Sequence, residues 1–321
     1  MRRPLVALTL ATALLVSAAA CGSNSSDNEA GGTDEVTDVT VGVIPIVDVA
    51  PIYLGKEKGF FTKRGINLTM ESGQGGAAIV PGVVSEQFQF GFSNVTSLLT
   101  AQVAEVPVKV VANGVASTGS ADGDFGGVAV KADSPIQNPA DLAGKKIAVN
   151  TLKNIGDTSV RESVRKAGGD PEGIEFVELA FGQMPAALEN GDVDAAWMVE
   201  PALTVAKDAG ARVVAWNFVD TAPDLTVALY FTSTKLAQEN PDLVQRFQEA
   251  MAESLSYANA HPDEVRTVLR SYTDIDQAIL DAMTLPVWPA EINRASIQRV
   301  AELGLADGVF ESEPDLDALL P

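Results

Sequence analysis

What most constrains this chain is a recurring succession of strand, polar loop and helix, first met at "DVTVGVIPI". Alternation there puts Val39, Val41 and Val43 on one face of a strand, and a helix follows from Ala50 to about Lys58, ended by Gly59. The unit recurs. "INLTMES" leads into a helix near Ala77 to Ser85, "FQFGFS" into one near Val95 to Val103, and "VKVVAN" follows as a strand. Such alternation predicts an α/β fold built on a largely parallel sheet.

A second set comes in the middle of the chain, with strands at "KIAVN", "IEFVEL", "DAAWMV" and "RVVAW" and helical segments beginning near Asp157, Gln183 and Pro201. It reads as a separate lobe. Between the sets lie "DGDFGGVAVKADS" and, on the way back, "PDLTVALYFTSTK", apolar strands flanked by Gly, Pro and Asp. Two crossings predict a two-strand hinge. Beyond the second, the pattern is mostly helical from about Pro241 to Leu303, with His261 opening a helix before Pro262, and these helices are expected on the first lobe. The expected organisation is therefore 36–125 as the first part of lobe 1, 126–225 as lobe 2 with the hinge strands, and 226–321 as the return to lobe 1 and the C-terminal helices. No internal sequence repeat is evident.

The N-terminus reads as an export signal, residues 1–20: Arg2 and Arg3, an apolar run from Leu5 to Val16, then small residues. Ala18-Ala19-Ala20-Cys21 resembles a bacterial lipobox, which makes Cys21 the expected attachment point for a diacylglycerol with palmitate-type chains. Residues 21–35 have almost nothing to bury and are expected to be a flexible tether. Cys21 is the only cysteine, so no intrachain disulfide can form. A formal net charge of −21 disfavours nucleic acid as a partner, and losing Arg2 and Arg3 with the leader deepens it. With one histidine in the chain, zinc sites and nucleophile–histidine catalysis are disfavoured as well.

Ligands of α/β sheets bind beyond the carboxyl ends of strands, where helix N-termini present free N–H groups. The loops placed there are "PIVDVAP", "SGQGGA", "SNVTS", "NTLKNIGDTS", "AFGQMP" and "MVEPAL". In "SGQGGA", Gly73, Gly75 and Gly76 allow either an amide nest around an anion or a plain flexible turn; no Lys-Ser or Lys-Thr pair follows, so it is not a P-loop. Asp157 or Thr158 is the expected cap of the next helix. Lys153, the only cation in these loops, is either an anion ligand or a solvated side chain. Trp197 can stack on a planar ligand or fill the core, and Glu200 can accept from an amine or hydroxyl or cap the helix after Pro201. Phe92, Trp216 and Trp288 share the ambiguity of Trp197. No nucleophile–base pair or metal-ligand spacing stands out.

From about Val39 to Leu303 the chain resembles the solute-binding lipoproteins of ABC importers, in the branch of nitrate, aliphatic sulfonate, taurine and thiamine-precursor binding proteins. The resemblance is carried by "PIYLGKEKGFFTKRGINL", "FGFSNVTSLL", "GGVAVKADSPIQNPADLAGKKIAVN" and "ALENGDVDAAWMVEPAL". It implies a type II periplasmic-binding-protein fold: two α/β lobes, joined by a two-strand hinge, closing over a small solute. Carried over position by position, the implied ligand-binding residues are Asp48, Val49, Gln74, Gly75, Ser93, Asn94, Thr151, Asn154, Gln183, Trp197 and Glu200, to which the loop reading adds Lys153. Glu-Pro stands where sulfonate binders of this group usually carry Asp-Pro, and the cysteine-rich motif of relatives that synthesise a pyrimidine is missing from the body.

The expected function is a monomeric, lipid-anchored receptor at the outer face of the cytoplasmic membrane, passing a small solute to an ABC permease and ATPase complex, with no cofactor, no metal and no catalysis of its own. An anionic organic solute, an aromatic carboxylate or sulfonate, is the first expectation; a neutral or amino-bearing heterocycle such as a thiamine-precursor pyrimidine is the second. An exported enzyme on the same scaffold, or a lipoprotein that binds another protein or acts as a sensor, are the readings from other classes.

Overall fold

The computed structural model describes residues 36–321, so the leader, Cys21 and the tether lie outside the described residues. In chain order the strands are β1 Thr37–Val43, β2 Ile66–Ser72, β3 Phe90–Asn94, β4 Val108–Ala116, β5 Gly126–Val130, β6 Lys146–Val149, β7 Glu175–Glu178, β8 Ala195–Val199, β9 Arg212–Ala215 and β10 Thr226–Ser233. The helices are α1 Ala50–Glu57, α2 Gly76–Val84, α3 Val95–Val103, α4 Ile155–Lys166, α5 Met184–Asn190, α6 Ala202–Asp208, α7 Asn217–Thr221, α8 Thr234–Glu239, α9 Pro241–Ala260, α10 Pro262–Leu269, α11 Gln277–Ala282, α12 Arg294–Ala306 and α13 Leu316–Leu319.

Two five-stranded sheets form, in the orders β2-β1-β3-β10-β4 and β7-β6-β8-β5-β9. In the first, β1 runs parallel to β2 and β3, and β10 runs antiparallel to β3 and β4. In the second, β6 runs parallel to β7 and β8, and β5 runs antiparallel to β8 and β9. Each sheet is thus mixed rather than largely parallel. The two sheets also share one strand order, a likeness of topology that no sequence repeat announced.

The apolar segments expected to form hinge strands are β5 and β10, and both lie inside the sheets. The crossings are the short segments before them, 117–125 and 222–225. Entering a sheet just after a crossing forces the strand to run against its neighbours, because the chain arrives from the opposite lobe without a helical crossover. The crossings are tied together: the Ser117 amide donates to the Leu225 carbonyl at 2.9 Å. Asp124 stiffens the first one, accepting from the Ser117 hydroxyl at 2.6 Å and from the Thr118 and Phe125 amides at 2.9 Å.

Helix starts set the strand-end loops. Asn94 caps α3, its Oδ1 accepting from the Ser97 amide at 2.9 Å. At α4 the cap is Asn154 rather than Asp157 or Thr158. The chain turns at Lys153, whose φ is +50°, so the helix begins earlier, and Asp157 reaches back to accept from the Lys153 amide at 2.9 Å. Gly76 opens α2 directly on β3; a Cβ there would lie 2.0 Å from Ser93 Oγ and 2.9 Å from Ser93 Cα. Only glycine allows that approach.

The C-terminal helices reach further than the first lobe. α9 lies on α1 and β4, with Phe247 stacked on Phe90 at 3.8 Å between ring centres. α12 packs on both α3 and α4, and Arg299 donates to the buried Glu162 of α4 at 2.9 Å. Arg165 of α4 in turn pairs with Glu162 and with Asp307, just past the end of α12. His261 sits between α9 and α10, stacked on Tyr257 at 3.8 Å.

Candidate functional site

The carboxyl ends of β1 and β3 in one lobe face those of β6 and β8 in the other, and a small cavity of about 30 Å³ lies between them. From the first lobe come Ile44, Ile46, Asp48, Phe92 and Asn94; from the second, Asn150, Ile155, Phe181, Trp197 and Phe218. Its walls are mostly apolar and aromatic, with a few polar residues among them, the composition expected of a small-molecule site.

Asp48 stands in the single turn Val47–Val49 that follows β1, and only 3% of it is exposed. Trp288 clamps the turn, its Nε1–H donating to the Asp48 carbonyl at 3.0 Å. One carboxylate oxygen, Oδ1, is buried without a partner. Burial, with added repulsion from Asp124, raises the Asp48 pKa to about 7 against the pull of its own backbone amide. Tyrosines surround it: Tyr272 donates to the Ile46 carbonyl at 3.1 Å and stacks on Tyr53 at 4.0 Å. Burial raises the pKa of Tyr230 and Tyr272, with the Asp48 charge adding to it, so both stay protonated.

Trp197 stands on β8 with its ring edge-on to Phe181 at 5.5 Å and to Phe218 at 5.8 Å. Gly156 makes room for it, since a Cβ there would lie 2.6 Å from the indole. Trp197 Nε1 and Asn150 Oδ1 are, like Asp48 Oδ1, buried without partners. A polar atom left so costs about 1–3 kcal/mol, and all three belong to residues of this one wall.

The lobes meet around this cavity. Asn154 Nδ2 donates to Ser97 Oγ at 2.9 Å, and the Val47 amide donates to the Glu200 carbonyl at 3.2 Å. A Cβ on Gly75 would lie 3.0 Å from Thr151 Oγ1, so these two expected site residues form the seam between facing loops. A second, outer cavity of about 290 Å³ opens beside the first and shares Ile46, Phe181 and Val199 with it. Its other walls include Pro45, Pro185, Val205 and Ile275.

Of the residues singled out from the sequence, Asp48, Asn94 and Trp197 line the inner cavity. Asn154 and Gly75 hold the seam beside Thr151. Ser93 is packed beneath Gly76, and Val49 is in the core. The side chains of Gln74, Lys153 and Gln183 are exposed and line neither cavity. Glu200 is fully buried but saturated, accepting from the Thr204 amide at 2.9 Å, the Thr204 hydroxyl at 2.8 Å and the Thr284 amide at 3.3 Å. Sequence reasoning missed Asn150, Phe181 and Phe218. Asn150, the last residue of "KIAVN", could have been found by the strand-end rule; the two phenylalanines carry no mark that separates them from core. Among the described residues no group of three His, Cys, Asp or Glu is placed to hold a metal.

Comparison with known proteins gives consistent likenesses. The chain is 25% identical over 289 residues to a Bacillus subtilis (strain 168) protein provisionally named an aliphatic sulfonates-binding protein, covering 88% of this chain and 81% of that one. It is also 25% identical over 263 residues to the 4-amino-5-hydroxymethyl-2-methylpyrimidine phosphate synthase of Aspergillus parasiticus, covering 78% and 71%. The alkanesulfonate-binding protein of Xanthomonas axonopodis pv. citri, solved bound to MOPS, superposes with a TM-score of 0.74 at 16% identity, covering 88% of this chain and 98% of the other. The fold is therefore that of the periplasmic binding proteins. A family model described as "NMT1/THI5 like" matches residues 46–265, which is more than half of the sequence, and the chain belongs to that family.

Proposed function

We propose that this chain is the extracytoplasmic solute receptor of an ABC importer, which captures a small organic solute between its lobes and presents it to a permease. The observation that carries the reading is a cavity between two lobes joined by two short crossings, with a wall that includes Asp48, Asn150 and Trp197, each holding a buried polar atom without a partner. Those atoms need complements that the protein does not supply, and crossings of this kind let the lobes part to admit a ligand. The names of the relatives point to a binding protein more often than to an enzyme. The cavity wall holds one carboxylate and no Cys, His or Lys, which also favours binding over catalysis. The anion first expected from the sequence drew on Lys153, and that side chain faces solvent.

Native mass spectrometry of protein purified without refolding is expected to show a retained solute. Adding that solute back to stripped protein is expected to shift Trp197 emission and to reduce the radius of gyration seen by small-angle scattering. No retained mass, with unchanged emission and scattering against a broad solute set, would remove the reading. The anchor is a separate proposal, motivated by the lipobox-like run at Cys21. Cys21→Ser is expected to abolish fatty-acid labelling, and equal label in variant and wild type would refute it.

A further inference from the structure

Given the receptor reading, on which this rests, we infer that the solute is an organic cation with N–H donors at one end, seated against Asp48, and an apolar body that extends into the outer cavity. Three residues of the inner wall carry a buried polar atom without a partner: Asp48 Oδ1, Asn150 Oδ1 and Trp197 Nε1. An ionised Asp48 only accepts, so a sulfonate or carboxylate set against it finds no donor there and brings a second negative charge beside it.

Charge gives the same sign. Asp48 is the only ionisable side chain of the inner wall, and no cation lines either cavity. A buried carboxylate is strongly disfavoured in its charged form unless a cation joins it, and an ammonium or amidinium head supplies that partner with hydrogen bonds to spare. Phe92, Phe181, Trp197 and Phe218 line the same wall, and a ring that turns its face to the head adds its attraction for a cation.

Shape then sets the body. The outer cavity lies beside the inner one and shares Ile46, Phe181 and Val199 with it, and its walls of Pro45, Pro185, Val205 and Ile275 bring no charge. Apolar surface buried there contributes about 25 cal/mol per Å². A polar tail would lose its water for nothing.

The test is a matched panel in which butyl, cyclohexyl and phenyl bodies each carry in turn an ammonium, an amidinium, a carboxylate and a sulfonate. Binding is read by thermal shift and calorimetry on wild type, Asp48→Asn and Lys153→Met. The cationic members are expected to bind, more tightly as the body grows. Asp48→Asn is expected to weaken them by about 30-fold or more, and Lys153→Met by no more than about twofold, as for a solvated charge. Preference for the carboxylates or sulfonates, undiminished cation binding by Asp48→Asn, or an anionic solute recovered by native mass spectrometry would overturn the inference and leave the receptor reading standing. Failure of every panel member, with no solute retained on purification, would overturn both.

Discussion

Replacing Asp48 by Asn is expected to stabilise the free protein at pH 8 by roughly 2 to 4 kcal/mol while removing the group proposed to hold the solute. The carboxyl group ionises at 3.8 in its ordinary state and at about 7 in the folded protein, because burial penalises the charge. Between those values the folded chain keeps a proton that the unfolded chain releases. Stability contributed by Asp48 is therefore complete below pH 3.8 and is lost as pH rises to about 7. Each pH unit in that window is worth about 1.36 kcal/mol, and Asn carries no such slope. The charged and ionisable neighbours are Asp124, which raises the value further, and Tyr53, Tyr230 and Tyr272, which stay neutral over this range. Urea unfolding of both proteins at pH 4, 6 and 8 reads the effect as a widening gap in favour of Asn. A gap that stays flat across the series would show the carboxylate to be solvated. The gain in stability on losing function is the usual mark of a site that holds a poorly satisfied group for a ligand's use.

Strand and helix succession was readable because each element carried its own period. Val39, Val41 and Val43 alternate and form β1, and Val95–Val103 forms a helix with the bounds expected for it. Direction was not readable. "GGVAV" and "TVALYFTS" are apolar throughout, and a strand buried on both faces has the same composition whichever way its neighbours run. That is why β5 and β10 read as free hinge strands. Their place in the sheets depends on where the chain arrives from, a tertiary fact.

The site divides along a similar line. The rule that ligands gather at strand carboxyl ends led to Asp48, Asn94 and Trp197, because all three sit within a few residues of a strand end. It led equally to Gln74, Lys153 and Gln183, since a loop of a few residues has room to turn any one side chain outward. Lys153 shows the cause: its backbone adopts φ +50° to give its amide to Asp157, and the side chain then leaves for solvent. Phe181 and Phe218 escaped notice because a phenylalanine that lines a cavity and one that fills a core obey the same hydrophobic demand.

Glu200 and Asp48 are both buried acids at strand ends, and their substitution is expected to act in opposite directions. Glu200→Ala should destabilise by roughly 3 to 5 kcal/mol, because it strands the Thr204 amide, the Thr204 hydroxyl and the Thr284 amide, which now donate to one carboxylate. The first two begin α6; the third anchors the segment after α11. The Glu200 pKa is raised by burial, but these bonds pull it back, so its charge is internally compensated where that of Asp48 is not. Glu200→Gln keeps an acceptor but turns an NH₂ toward a donor, and about 1 to 3 kcal/mol is expected from that mismatch. Equal urea midpoints for wild type, Ala and Gln would mean that water replaces the carboxylate without loss. The head-group preference of the Gln variant should match that of wild type, since the Glu200 backbone still bonds the Val47 amide at 3.2 Å and the Phe125 carbonyl at 2.8 Å and so keeps the Asp48 turn in place. On the proposed reading, recognition falls to the acid whose oxygen lacks a protein partner, and architecture to the acid whose oxygens are already taken.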